Sequence, residues 1–228
     1  MPIDQTNDER TVSVPAGEAT LEGTLIIPVG ARGIVLFAHG SGSSRHSPRN
    51  RFVARALQDA GLGTLLLDLL TAEEEAADQQ SRRHRFNIEL LADRLTWATD
   101  WLTRTADTSA LRVGYFGAST GAGAALVAAA QRPQAVGAVV SRGGRPDLAG
   151  DYLSRVAAPT LLIVGGNDGP VITLNRDALG RLDSVKELFI VPGASHLFEE
   201  PGTLEEVARL AAGWFSHHLD NAQTPGTK

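Results

Sequence analysis

From Gly33 onward the chain repeats one pattern: a short, unbroken apolar run followed by a stretch with helical spacing. The runs are GIVLFAHG from Gly33, then Thr64–Asp68, Arg112–Phe116, Ala135–Val140, Pro159–Val164 and Glu187–Val191. A strand with one wet face alternates apolar and polar residues, whereas a run apolar at every position belongs to a strand covered on both faces. Covering both faces requires helices on either side, so the chain is committed to an α/β architecture with a parallel sheet. Ahead of these runs, Thr11–Val14 and Thr20–Ile27, split by Pro15, Ala16 and Gly17, predict an antiparallel hairpin at a sheet edge.

The helices carry their own punctuation. Ser47 can cap and Pro48 can open a helix that continues through Phe52, Val53, Ala56 and Leu57. Ile88, Leu91, Leu95, Ala98 and Leu102 form one apolar face, flanked by Trp97 and Trp101. Thr203 and Glu206 have capping-box spacing ahead of Val207, Leu210, Ala211 and Trp214. Glu73 to Arg85 is charged and reads as a solvated loop, with a flap over a pocket mouth as the other reading.

At 228 residues the whole chain, 1–228, is expected to form a single domain, with its core over about residues 10–219 and a frayed tail at 220–228. The 26 acidic residues outnumber the 21 Lys and Arg, which argues against a nucleic-acid partner, since phosphates require a basic face. With no cysteine, disulfides, thiolate metal sites and a cysteine nucleophile are excluded together. The polar start MPIDQTNDER lacks the layout of a secretory signal, and no apolar run approaches the roughly 20 residues of a membrane helix. A cytoplasmic protein without a membrane partner, monomeric or homodimeric, is therefore expected. No HExxH pattern occurs and the 6 histidines are scattered, so no metal is expected; no GxGxxG turn or P-loop occurs, so no cofactor is expected.

The stretch VGYFGASTGAGAAL, Val113 to Leu126, passes from strand to helix within a few residues, with Ser119 at the corner between Gly117 and Gly121. This is the setting of a nucleophile elbow, in which glycines permit a tight, strained turn and the helix start directs N–H groups at the reacting centre. By itself the motif also admits a plainer reading, in which the glycines ease helix packing and Ser119 caps the helix. A nucleophilic serine needs a base and an orienting acid. Asp168 follows the run Pro159–Val164 in APTLLIVGGNDGP, and His196 follows the last run in LFIVPGASHLFEEPG. Alone, Asp168 could form a turn with Asn167 and Gly169, and His196 could be an ordinary polar residue near a helix. Together, three strand ends carry the three required residue types in the chain order Ser119, Asp168, His196, which suits an open parallel sheet. In LFAHGSGSSRHSP, the backbone N–H of Ser41 could join that of Thr120 as an oxyanion hole, while His39 reads as structural.

With these residues in view, the chain resembles the α/β-hydrolase superfamily over nearly all of residues 10 to 219, and within it the compact dienelactone-hydrolase-like group. HGSGSSRHSPRN, LLLDLLT, GYFGASTGAGAAL, SRGGRPDLA, LLIVGGND and VPGASHLFEEPG are similar to one bacterial branch of that group, sometimes joined to a phosphoribosyltransferase domain that is not expected within these residues. The resemblance implies an eight-stranded, mostly parallel sheet flanked by helices, with Ser119 as nucleophile, Asp168 as acid and His196 as base. Dienelactone hydrolases proper use a cysteine nucleophile, so the serine turns the expectation away from the dienelactone itself.

The stretch from Ser141 to Ala158 is too short for a sizeable cap domain, which favours an open site and a small soluble ester, thioester or lactone. Arg45, His46, Arg49 and Arg51 beyond the oxyanion loop, with Arg142 and Arg145 beyond Val140, could form a basic rim for a substrate anion. Pairing of these arginines with Asp68, Glu73, Glu74 or Asp147 is the preferred reading. The leading expectation is a serine hydrolase of carboxylic esters acting through an acyl-enzyme. A non-catalytic binding module on the same fold, or an acyltransferase, thioesterase or peptidase using the same residues, is the alternative.

Overall fold

The protein is described by a computed structural model over residues 9–220. The apolar runs become β3 (Ile34–Ala38), β4 (Gly63–Leu67), β5 (Val113–Ala118), β6 (Val136–Arg142) and β7 (Thr160–Gly165), each buried at every position. They lie parallel, and β8 (Lys186–Val191) closes one edge with its first two residues exposed. The expected hairpin is β1 (Arg10–Ala16) and β2 (Ala19–Ile26), antiparallel to each other, with β2 antiparallel to β4. The full order is β1-β2-β4-β3-β5-β6-β7-β8, an eight-stranded, mostly parallel sheet that puts β5 in the interior beside β3 and β6.

Helices cover both faces. Ser47 accepts the N–H of Asn50 at 3.4 Å and starts α1 (Pro48–Asp59). Val53 and Leu57 of α1 share one core with Val207, Ala211 and Phe215 of α6 (Thr203–Leu219). The opposite core is built on α3 (Ile88–Leu102) and α4 (Thr120–Gln131). Every residue of α4 from Thr120 to Ala130 is buried, and its run of alanines and glycines lets it sit close to the sheet. Gly169–Arg181 forms α5. Between β6 and β7 the chain makes only short 3-10 turns within Pro146–Arg155, broken at Gly150 (φ 52°, ψ −129°), so no sizeable cap stands there.

Two expectations are corrected. Glu73 to Arg85 is not a plain loop, because Ala72–Ser81 forms α2. Thr71 and Glu74 make its capping box: the hydroxyl of Thr71 accepts the N–H of Glu74 at 3.2 Å, and Glu74 Oε2 accepts the N–H of Thr71 at 2.8 Å. Conversely, Thr203 does not cap α6. Gly202, in the left-handed region at φ 81°, occupies the cap, while the hydroxyl of Thr203 donates to Glu200 O at 2.7 Å and Glu206 pairs with Arg209. The expected frayed tail falls at 221–228, outside the described residues, apart from Asp220.

Candidate active site

Ser119 stands between the carboxyl end of β5 and the start of α4, partly exposed, at φ 51° and ψ −122°. A non-glycine residue rarely holds such angles, and the turn is fixed by its surroundings. A Cβ on Gly117 would come within 2.4 Å of Ala122 Cα, and one on Gly121 within 2.3 Å of Ala38 O. Thus Gly117 is closed off by the helix it precedes, and Gly121 mainly by the end of β3. The reading of Ser119 as a capping serine is overturned, since its side chain makes no capping hydrogen bond.

Asp168 and His196 come from the loops leaving β7 and β8. Those loops are tied together: Asn167 N–H donates to Ala194 O at 2.9 Å, and Asn167 Nδ2 donates to Gly193 O at 2.8 Å. A Cβ on Gly165 would meet Ala194 O and Ser195 O at 2.5 Å, so only glycine allows this approach. Glu200 braces the histidine loop by accepting the N–H of Ser195 at 2.9 Å, a bond that holds its carboxyl below the usual range. Asp168 makes no turn-forming side-chain bond of its own. Its Oδ2 instead lies 2.6 Å from His196 Nδ1. With Nδ1 keeping its proton and donating it in a hydrogen bond to the carboxylate, Nε2 is left as the basic nitrogen.

Ser119 is brought to the same edge. Its N–H donates to Arg142 O at 3.3 Å, and a Cβ on the next residue, Gly143, would lie 3.6 Å from His196 Cε1. Among the described residues the Ser119 hydroxyl makes no hydrogen bond, so the contact between acid and imidazole is closed and that between imidazole and serine is open.

The loop after β3 passes against the elbow, where a Cβ on Gly40 would meet Ser119 Cβ at 3.1 Å. His39 is buried, with Nδ1 2.9 Å from Gly40 O and Nε2 accepting the N–H of Leu69 at 3.1 Å. Burial pulls its pKa down, which keeps it neutral and structural. Because carbonyl and N–H point oppositely across a trans peptide, fixing Gly40 O away from the elbow turns the N–H of Ser41 toward it. That N–H is already engaged, donating to the Thr120 hydroxyl at 3.0 Å. The sequence reading missed this side chain, for which the residue after the elbow serine was the available signal.

The basic residues separate into distinct groups. Arg45 is ion-paired to Asp68 and lies 2.7 Å from Glu22, and Arg145 binds Asp147 through Nε and Nη2 at 2.8 and 2.7 Å. Pairing, the preferred reading, holds for both. Arg51 lies 3.6 Å from Glu9. Arg142 is buried without a carboxylate partner among the described residues. His46 is exposed and, with Arg45, lines a 720 Å³ cleft between the β1–β2 hairpin and the start of α2. None of Ser119, Asp168 and His196 lines that cleft, so its size does not mark the chemistry. Among the described residues no cluster could hold a metal ion, and no helix is long and apolar enough to cross a membrane.

An eight-stranded α/β sheet of this order, with a strained serine elbow at its carboxyl edge, defines an α/β-hydrolase fold. The model of the dienelactone hydrolase family matches residues 21–218, and the chain belongs to that family. A crystal structure of dienelactone hydrolase from Anabaena variabilis is 66% identical with a TM-score of 0.92, covering 93% of this chain and 98% of that one. A Mycobacterium tuberculosis protein provisionally named as a phosphoribosyl transferase is 60% identical over 211 residues, 92% of this chain. The chain spans 47% of that relative's length, so the relative's name describes a longer protein. A dienelactone hydrolase-like promiscuous phosphotriesterase from metagenomic libraries shares the fold at 20% identity and a TM-score of 0.73, covering 93% of this chain and 98% of that one.

Proposed function

We propose that the protein is a serine hydrolase of small carboxylic esters, short-chain esters or lactones, acting through an acyl-enzyme. The 2.6 Å bond between His196 Nδ1 and Asp168 Oδ2, at the same edge as the Ser119 elbow, carries this reading. Rotation of the Ser119 side chain toward the imidazole completes the contact when substrate enters, in line with the looser geometry of unliganded sites. His196 Nε2 takes the hydroxyl proton as Oγ bonds to the ester carbon, and Asp168 stabilises the imidazolium. The negative oxygen of the tetrahedral intermediate is held by the N–H of Thr120 and by that of Ser41, released from the Thr120 hydroxyl. Collapse expels the alcohol, which takes the proton from His196, and water then repeats the sequence to free the acid.

The observation that only short 3-10 turns separate β6 from β7 favours a small soluble substrate over an interfacial one. Family membership supports hydrolysis, and the 66% identity to the Anabaena protein puts lactones in the substrate screen. Ser119→Ala is expected to lower the turnover of 4-nitrophenyl acetate by a factor on the order of 10⁶. A fluorophosphonate should label Ser119 of the native chain. Near-native hydrolysis by the alanine variant refutes the reading, and absence of labelling favours a non-catalytic binding protein.

A further inference from the structure

Of the residues in α2, only Asp78 is buried, so this helix adds no side chain to either apolar core. The buried carboxylate serves the segment that follows the helix. It accepts the N–H of His84 at 2.6 Å, the N–H of Arg85 at 3.2 Å and Nε of Arg85 at 2.5 Å. A carboxylate out of water persists only where such bonds satisfy it, and here they converge on one arginine. Arg85 also has Nη2 3.7 Å from Glu75 Oε1, and its side chain is 17% exposed. Its guanidinium is therefore held in one orientation from the helix side.

The other end of that guanidinium meets the loop after β3. There Ser43 N–H donates to Gly40 O at 3.1 Å and closes a tight turn, whose third residue, Gly42, has the positive φ of 72° that a type II turn requires. Ser41 and Gly42 are exposed, so packing does not fix this turn. Three contacts do. His39 Nδ1 holds Gly40 O at 2.9 Å, the Thr120 hydroxyl accepts the N–H of Ser41 at 3.0 Å, and Arg85 Nη1 lies 3.6 Å from where a Cβ on Gly42 would stand. Among the described residues no other atom beyond the chain neighbours of Gly42 comes within 4 Å of that point. In the proposed cycle the bond to Thr120 is exchanged for one to the oxyanion, which leaves His39 and Arg85 to keep the turn in place while the new bond forms.

We propose that Arg85 is a positioning residue: locked by Asp78, it clamps the turn at Gly42 and so holds the Ser41 amide in the orientation that meets the oxyanion. The catalytic consequence rests on the ester-hydrolase reading; the clamp on the turn does not. It gives α2, which builds no core, a part in the chemistry from outside the reacting groups.

Three variants test this. Arg85→Met removes the guanidinium, Arg85→Lys keeps a cation for Asp78 but lacks the second arm that reaches Gly42, and Arg83→Met, at an exposed position, is the control. With 4-nitrophenyl acetate, Arg85→Met should lower kcat by about tenfold to hundredfold and leave KM within about twofold, since the amide acts on charge that develops after binding. A trifluoromethyl ketone, whose adduct with Ser119 puts a negative oxygen in the same place, should lose affinity by a similar factor. Arg85→Lys should recover the melting temperature more fully than kcat, and Arg83→Met should match the native chain throughout. Independently of turnover, hydrogen exchange at the Ser41 amide, read by NMR, should be about tenfold faster in Arg85→Met and unchanged in Arg83→Met. If Arg85→Met does not fold, Arg85→Lys and the double variant Asp78→Asn/Arg85→Met carry the same comparisons. Native kcat overturns the proposal whatever happens to the melting temperature, and so does a loss confined to KM or a fall in kcat with Ser41 exchange at the native rate. If the native chain turns over no ester, the hydrolase reading falls and Ser41 exchange alone decides the clamp: a native rate in Arg85→Met overturns it.

Discussion

At Gly121 the space for a side chain is taken by the end of β3, with Ala38 O 2.3 Å and His39 O 2.5 Å from where a Cβ would stand. Both obstacles are backbone atoms of a buried strand end and cannot swing aside, so Gly121→Ala should push α4 off β3 and tilt the elbow. We expect a loss of about 1–3 kcal/mol, read by denaturant unfolding, together with a marked fall in the proposed ester hydrolysis; native values on both counts would contradict the packing argument. At this scale the sequence was informative where chemistry requires a residue type at a strand end, which is how Ser119, Asp168 and His196 could be singled out. Arginine pairing was less legible, because it depends on which carboxylates the fold brings near. Arg45 meets Asp68 across sequence-distant loops, whereas Arg142 points into the α1 and α6 side, where it meets Asn50 and Phe198 instead of a carboxylate.

Among the elements, α2 shows what periodicity does not capture. It buries little besides Asp78, which is fully buried and accepts the N–H groups of His84 and Arg85 at 2.6 and 3.2 Å and Arg85 Nε at 2.5 Å. Burial alone would raise that carboxyl, but Arg85 and the two backbone donors more than reverse the effect and hold it well below the usual carboxylate range. A depressed folded-state pKa contributes stability that is complete above the unfolded value of about 4 and is lost as pH falls toward the folded value. Asp78→Asn should therefore lower the melting temperature at pH 7, and its deficit should shrink below about pH 4. A deficit that stays constant down to pH 2 would show that the carboxylate charge is not what holds the segment. With three glutamates and few apolar residues, α2 has no stripe to read; it is held by its capping box and by Asp78. The same four-residue spacing misled at Thr203, because spacing reports only reach, and the turn at Gly202 decides where α6 begins.

For the molecule as a whole, the apolar runs sufficed to define the sheet because burial on both faces leaves its mark on every residue of a strand. The pairing order was less accessible, since it depends on which way each crossover turns; the result sets β5 between β3 and β6, where loops from several strands meet at one edge. The two cores on either side are coupled through β5. Phe215 of α6 is fully buried against Gly114, where a Cβ would stand 2.7 Å from Cε1 of its ring. Phe215→Ala should thus cost about 3–5 kcal/mol in global unfolding, read by chemical denaturation, and a loss under 1 kcal/mol would mean that α6 docks independently of the sheet.

The bond from the Ser41 amide to the Thr120 hydroxyl sets a threshold on that amide. In the proposed cycle, a neutral carbonyl arriving there offers about what threonine already provides, so exchange yields little for a substrate merely bound. An oxygen bearing a full charge is the stronger acceptor, and charge-assisted bonds are roughly twice as strong as neutral ones. The occupied amide would then reward the reaction's crest more than its approach, lending selectivity for bond-making over simple residence.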